Sequence, residues 1–125
     1  MHEITLKNVR DLLESGTLEL VATQDAINLP ILQRIYKKMK IGIEFANIRV
    51  KGSRIVDGHH RYICSELSKT KIGQNDWQIS STAVDCSWRD VNIIEKDYET
   101  PEMIQVHNER DAELNDVDIN VLNDL

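Results

Sequence analysis

The chain has 125 residues, 41% of them hydrophobic and 29% charged, with a formal net charge of −6. That length and balance suit one folded domain, which needs neither disulfides nor a structural metal to hold a core. They exclude a disordered chain, and the sequence has no apolar run of about 18 residues that would span a membrane.

The charge is uneven. Residues 95–125 hold ten acids and two bases, a balance of −8, so residues 1–94 carry +2. A mildly basic body with an acidic tail argues against duplex DNA as a partner of this chain alone, because such binding runs on phosphate neutralisation. Small anions need only local positive potential. The acidic run reads first as a solvated face, and second as a surface for a basic protein partner. The N-terminus has no basic flank followed by an apolar stretch, so no secretory signal is read there. Cys64 and Cys86 match no zinc or redox spacing and are expected to be reduced thiols, in keeping with a cytoplasmic protein.

In chain order, Thr5 predicts a helix cap, with Leu6, Val9, Leu12 and Leu13 as the apolar positions and Gly16 as the stop. Leu18–Ala22 predicts a short strand. Asn28 predicts the cap of a second helix that tolerates Pro30 in its first turn. Ile31, Leu32, Ile35 and Met39 share one face of it, Lys37, Lys38 and Lys40 suit its last turn, and Gly42 ends it. Residues 47–50 and 53–56 predict a hairpin around Lys51-Gly52. A helix follows Asp57-Gly58, with Tyr62, Ile63 and Leu67 toward the core. Gln78–Val84 and Val91–Ile94 predict two more strands. Thr100-Pro101-Glu102 predicts a helix opening that runs to about Glu113, and the polar residues beyond Asn115 are not assigned. The expected architecture is α/β (α+β): a small mixed sheet with flanking helices in residues 1–94, and an acidic helix or tail, 95–125, packed on it or extending from it.

The segment Ile55-Val56-Asp57-Gly58-His59-His60-Arg61-Tyr62 holds the strongest chemical signal. Two β-branched residues end a strand, and Gly58 permits a close backbone approach and an unusual φ. The helix that follows turns free N–H groups and the positive end of its dipole toward the strand end, which makes an anion seat. Arg61 in the first turn offers a forked contact to phosphate, and His59 and His60 offer further donors. Asp57 suits a Mg²⁺ that bridges phosphates, or the orientation of a histidine or a ribose hydroxyl.

Those eight residues resemble the signature of the ParB/sulfiredoxin-like fold. Its members carry a Gly-Glu-Arg-Arg, Gly-Gly-Cys-His-Arg or Asp-Gly-His-Thr-Arg element at a helix start, where it binds nucleotide phosphates. The order of elements over residues 18–85 is similar as well. The resemblance implies a nucleoside triphosphate, ATP or CTP, with Mg²⁺, and hydrolysis or phosphoryl transfer. It puts Gly58, His59, His60, Arg61 and Gln24 on the nucleotide, Asp57 on the metal, and Asp57, His60 and Asp25 in the catalytic roles. Three departures narrow it. His59 stands where the sulfiredoxin-like cysteine would fall. Gln24 and Asp25 stand in the region where the free-serine kinases of the family place a glutamate. The chain ends before the helix-turn-helix domain of the partition proteins. The alternatives are a ParB-like nuclease or toxin-type enzyme acting through the paired histidines, and a non-enzymatic protein that docks through its acidic tail.

The remaining residues have blander readings. His60 and Cys64 stand four apart with no further pair to complete a zinc site. Tyr62 is expected in the core, Trp77 and Trp88 at least half-buried, and His107 on the surface. Glu19 and Glu44 are further acids available opposite the corner.

Overall fold

The computed structural model describes residues 3–125. Helix α1 (Leu6–Glu14) opens with a reciprocal cap: Asn8 N–H donates to Thr5 Oγ1 at 3.2 Å and Thr5 N–H to Asn8 Oδ1 at 2.9 Å. Its apolar stripe buries Val9 and Leu13. Strand β1 (Ala26–Asn28) runs directly into α2 (Leu29–Lys40). The hairpin β2 (Ile48–Lys51) and β3 (Arg54–Asp57) turns at Gly52 and leads into α3 (His59–Ser68). Strands β4 (Gln74–Asp76) and β5 (Asn92–Ile94) follow, with a 3-10 turn at Trp88–Asp90 between them. Helices α4 (Pro101–Asn115) and α5 (Ile119–Asn123) complete the chain.

The strands form two small sheets. In one, β2 lies between β3 (antiparallel) and β4 (parallel); in the other, β1 pairs with β5 in parallel. Outside these ladders, single bridges pair Val21 with Arg54 of β3 and Ala22 with Cys86. Ile27, Leu32, Ile48, Ile55, Ile63 and Val91 meet α1 residues Val9 and Leu13 in the main core. A second, smaller cluster of Ile43, Ala112 and Leu122 lies under α4 and α5. No helix among the described residues is long and apolar enough to cross a membrane. Cys64 and Cys86 are both free thiols.

Two expectations change, and one unassigned segment gains a helix. Leu18–Ala22 pairs only at its end: Val21 N–H donates to Ser53 O and Val21 O accepts from Ile55 N–H, whereas the amides of Glu19 and Leu20 donate to the Tyr62 hydroxyl at 3.0 and 3.1 Å. The strand expected at Gln78–Val84 lies earlier, at β4. There Ile48 N–H donates to Gly73 O and Trp77 N–H to Val50 O, which sets the parallel register on β2. Residues 78–84 have no ladder partner and leave Val84 74% exposed. The unassigned tail contains α5, capped by Asp118, which accepts from Asn120 N–H at 2.8 Å.

Candidate functional site

Gly58 makes the strand–helix corner sterically possible. Its φ is +109°, and a Cβ placed there would lie 2.6 Å from Ile48 Cγ2. The glycine lets β3 turn under β2 and start α3 at once. No side chain caps the first turn of α3, and the first bond across it runs from Tyr62 N–H to Gly58 O at 2.9 Å. The leading amides of the helix therefore keep their hydrogen-bonding capacity.

The two histidines that follow act as acceptors rather than cationic donors. His59 Nε2 accepts the Thr23 N–H at 3.0 Å and His60 Nε2 accepts the Asn28 N–H at 2.9 Å. An accepting Nε2 assigns the proton of each neutral ring to Nδ1. Burial lowers the pKa of His59 to about 4, with nearby His60 adding to the drop and Asp57 opposing it. Burial also lowers the pKa of His60, opposed by Glu99. Both rings are thus neutral near pH 7 and clamp the 23–28 segment against α3. This corrects the expectation that both histidines offer donors to an anion, and it leaves neither Nε2 free to take a proton from a substrate.

Arg61 turns inward. Its Nη1 donates to the Ala46 and Asn47 carbonyls at 2.8 and 3.2 Å, and its Nη2 to Asp57 Oδ2 at 3.1 Å. The guanidinium ties the loop before β2 to the corner, so it is not the unpaired fork expected from the sequence. Asp57 is exposed and has Arg61 as its partner.

Beside this corner lies a pocket of roughly 690 Å³. Asp57, Gly58, His60 and Arg61 form one wall; Ile31, Arg34, Ile35 and Lys38 of α2 form another; Ile104, His107, Arg110 and Asp111 of α4 close the third side. His59 is not part of the lining. Neither are Gln24, whose Nε2 donates to Ala26 O at 2.7 Å, and Asp25, an exposed residue whose carbonyl accepts from Asn92 N–H. The structure therefore groups Asp57, Gly58, His60 and Arg61 and separates them from the expected base and from His59.

No family model, curated protein or solved structure matches the chain.

The pocket's strongest charges were not picked out by motif reading. Lys38 is only 6% exposed and pairs with Asp111 at 2.7 Å. Arg34 makes a forked contact to Asp97, 2.7 Å from each Nη, and a further bond to Glu99 at 2.7 Å. Glu99 also accepts from His107 Nε2 at 2.9 Å, so this surface histidine, its side chain 45% exposed, is tied to the network on Arg34. Arg110 has no ion pair among the described residues. One signal was available: Arg34 and Lys38 are one turn apart and border the apolar positions Ile31 and Ile35.

Asn28 precedes α2 but does not cap it. Its fully buried side chain donates to Ile94 O and Lys96 O at 3.2 and 2.6 Å, tying β1 to the start of the acidic segment. Tyr62 is in the core as expected. Trp88 is half-buried, its indole N–H donating to Leu20 O at 2.8 Å. Trp77 is 46% exposed and stacks under the Arg49 guanidinium at 4.0 Å. Glu19 is exposed, and Glu44 exchanges backbone bonds with the Asn115 amide. Cys64 is buried and donates to Leu32 O, and burial pushes its thiol pKa up. No cluster of three or more His, Cys, Asp or Glu suited to a metal occurs among the described residues.

Proposed function

We propose that the pocket beside the Gly58 corner binds the phosphates of a nucleoside triphosphate, as a ParB/sulfiredoxin-like domain would. One observation carries this reading: the uncapped first turn of α3 starts at a pocket wall whose opposite sides bear Arg34, Lys38 and Arg110. Helix-end amides and guanidinium groups are complementary to phosphate in shape and charge. The apolar side chains of Ile31, Ile35 and Ile104 leave room for a base or another flat group.

Arg61 in this reading holds the corner in shape, and Arg110 is the cation available to the ligand. A Mg²⁺ would be held by Asp57 and the phosphate oxygens, and would neutralise charge between phosphates. The chain's own contribution is positioning. With both imidazole Nε2 atoms engaged, hydrolysis or transfer is expected to be slow compared with binding. The same engagement disfavours a nuclease that uses these histidines as bases.

The test is thermal and chemical stability against ATP, ADP, CTP and GTP with Mg²⁺. A ligand at 100 times its dissociation constant should add about 2.7 kcal/mol. The absence of a shift with every nucleotide would remove the reading.

A further inference from the structure

Residues 95–125 meet the body through apolar, neutral and charged contacts. Ile43, Ala112 and Leu122 form a buried cluster flanked by Phe45, Val117 and Ile119, and Asn28 and Asn115 make neutral hydrogen bonds across the contact. The ionic part is extensive. Asp97 and Glu99 both bind Arg34, and Asp111 binds Lys38, each at 2.7 Å. Both cations project from α2 into the pocket that also receives the start of α3. Three carboxylates of the acidic arm thus occupy two cations beside an uncapped helix end.

We infer that these carboxylates stand in for the ligand, and that the pocket is built for an oligophosphate that displaces the arm from Arg34 and Lys38. This rests on the phosphate-binding reading above and adds how the site opens. A single phosphate carries at most about two charges near neutral pH and replaces only part of what three carboxylates supply. A triphosphate replaces all of it, and its oxygens match the fork of Arg34 as the Asp97 carboxylate does. Release of the arm without a substitute anion gives up the charge-assisted contacts of Asp97, Glu99 and Asp111 to Arg34 and Lys38. The arm therefore stays closed until a polyanion arrives, and ligand entry and arm opening are one event.

The experiment compares the full chain with two charge-matched double variants. In Asp97→Asn/Glu99→Gln the anions on Arg34 are neutralised and hydrogen-bond acceptors remain. In Glu102→Gln/Glu113→Gln the same charge is removed from α4 residues outside the pocket. Inorganic tripolyphosphate and inorganic phosphate are titrated calorimetrically. Freed from its carboxylates, Arg34 should tighten tripolyphosphate by about tenfold in the first variant, against less than about twofold in the second. Inorganic phosphate should bind more weakly than tripolyphosphate in all forms. A second measurement needs no variant: tripolyphosphate should speed amide hydrogen exchange across residues 97–111 of the unaltered chain.

Equal tightening in the two variants, or unchanged or slower exchange in the arm, overturns the displacement while phosphate binding stands. No tripolyphosphate binding by any form overturns both readings.

Discussion

Lys38 Nζ and Asp111 Oδ2 meet at 2.7 Å between α2 and α4, with the lysine almost fully buried and the aspartate largely so. The pair pins the acidic arm to the body at the deepest point of their contact. Its two halves are not equivalent, because only the more exposed partner can recover water by a small movement.

Asp111→Ala should therefore destabilise the fold more than Lys38→Met. The first leaves a buried ammonium unpaired and should cost about 3 kcal/mol, whereas the second leaves a carboxylate that can turn outward. The double variant Lys38→Met/Asp111→Leu should recover most of the loss. Urea unfolding of the three variants gives the comparison, and a Lys38→Met penalty equal to or above that of Asp111→Ala would contradict it.

Gly58→Ala should cost about 2–4 kcal/mol, since a new Cβ strikes the Ile48 side chain and the residue must keep a positive φ. Gly52→Ala is the control. It also has a positive φ, but nothing lies within 4 Å of the added methyl. That substitution should cost only about 1 kcal/mol. Similar unfolding midpoints for the two would show that the contact with Ile48 is not what demands glycine.

Stability should fall as pH drops below neutrality. The unfolded chain takes up a proton on His59 near pH 6.5, whereas the folded chain resists until about pH 4. The unfolded state binds more protons in that window, so its free energy falls relative to the folded state as acid is added. The full difference is present above pH 6.5 and is lost progressively toward pH 4, about 3 kcal/mol in all for this residue. His60 shifts in the same direction and adds to the slope. Asp97, held below the usual carboxylate range by its hydrogen bonds to Arg34, acts only at lower pH, where its stabilisation is lost on protonation. His59→Gln supplies a neutral acceptor for the Thr23 amide and should flatten the dependence between pH 6.5 and 4. An unchanged slope in that variant would place the titration elsewhere.

Arg110 is exposed on the pocket wall and carries no ion pair among the described residues. Arg110→Ala should leave the unfolding free energy within about 0.5 kcal/mol, as surface substitutions usually do. It should weaken tripolyphosphate or nucleotide binding by roughly tenfold, the worth of one charge-assisted contact. Undiminished affinity, measured by calorimetry, would remove Arg110 from the site.

Much of the fold is legible from local rules. Thr5 and Thr100 cap helices through their own side chains, Gly58 breaks a strand at a positive φ, and Lys51-Gly52 turns a hairpin. Each depends on residues only a few positions apart. The misreadings share the opposite property. Tyr62 takes the amides of Glu19 and Leu20 across more than forty residues, and β4 takes its place from the register of β2.

The site divides along the same line. The strand–glycine–helix corner is written locally, because φ preference and β-branching act within a single turn of chain. Chain packing makes His59 and His60 neutral clamps, turns Arg61 into a brace for the corner, and places Arg34 and Lys38 in the pocket under an acidic arm. Those roles depend on burial and on partners that, Asp57 beside Arg61 aside, lie 14 to 73 residues away, and no local pattern encodes which buried charge meets which carboxylate.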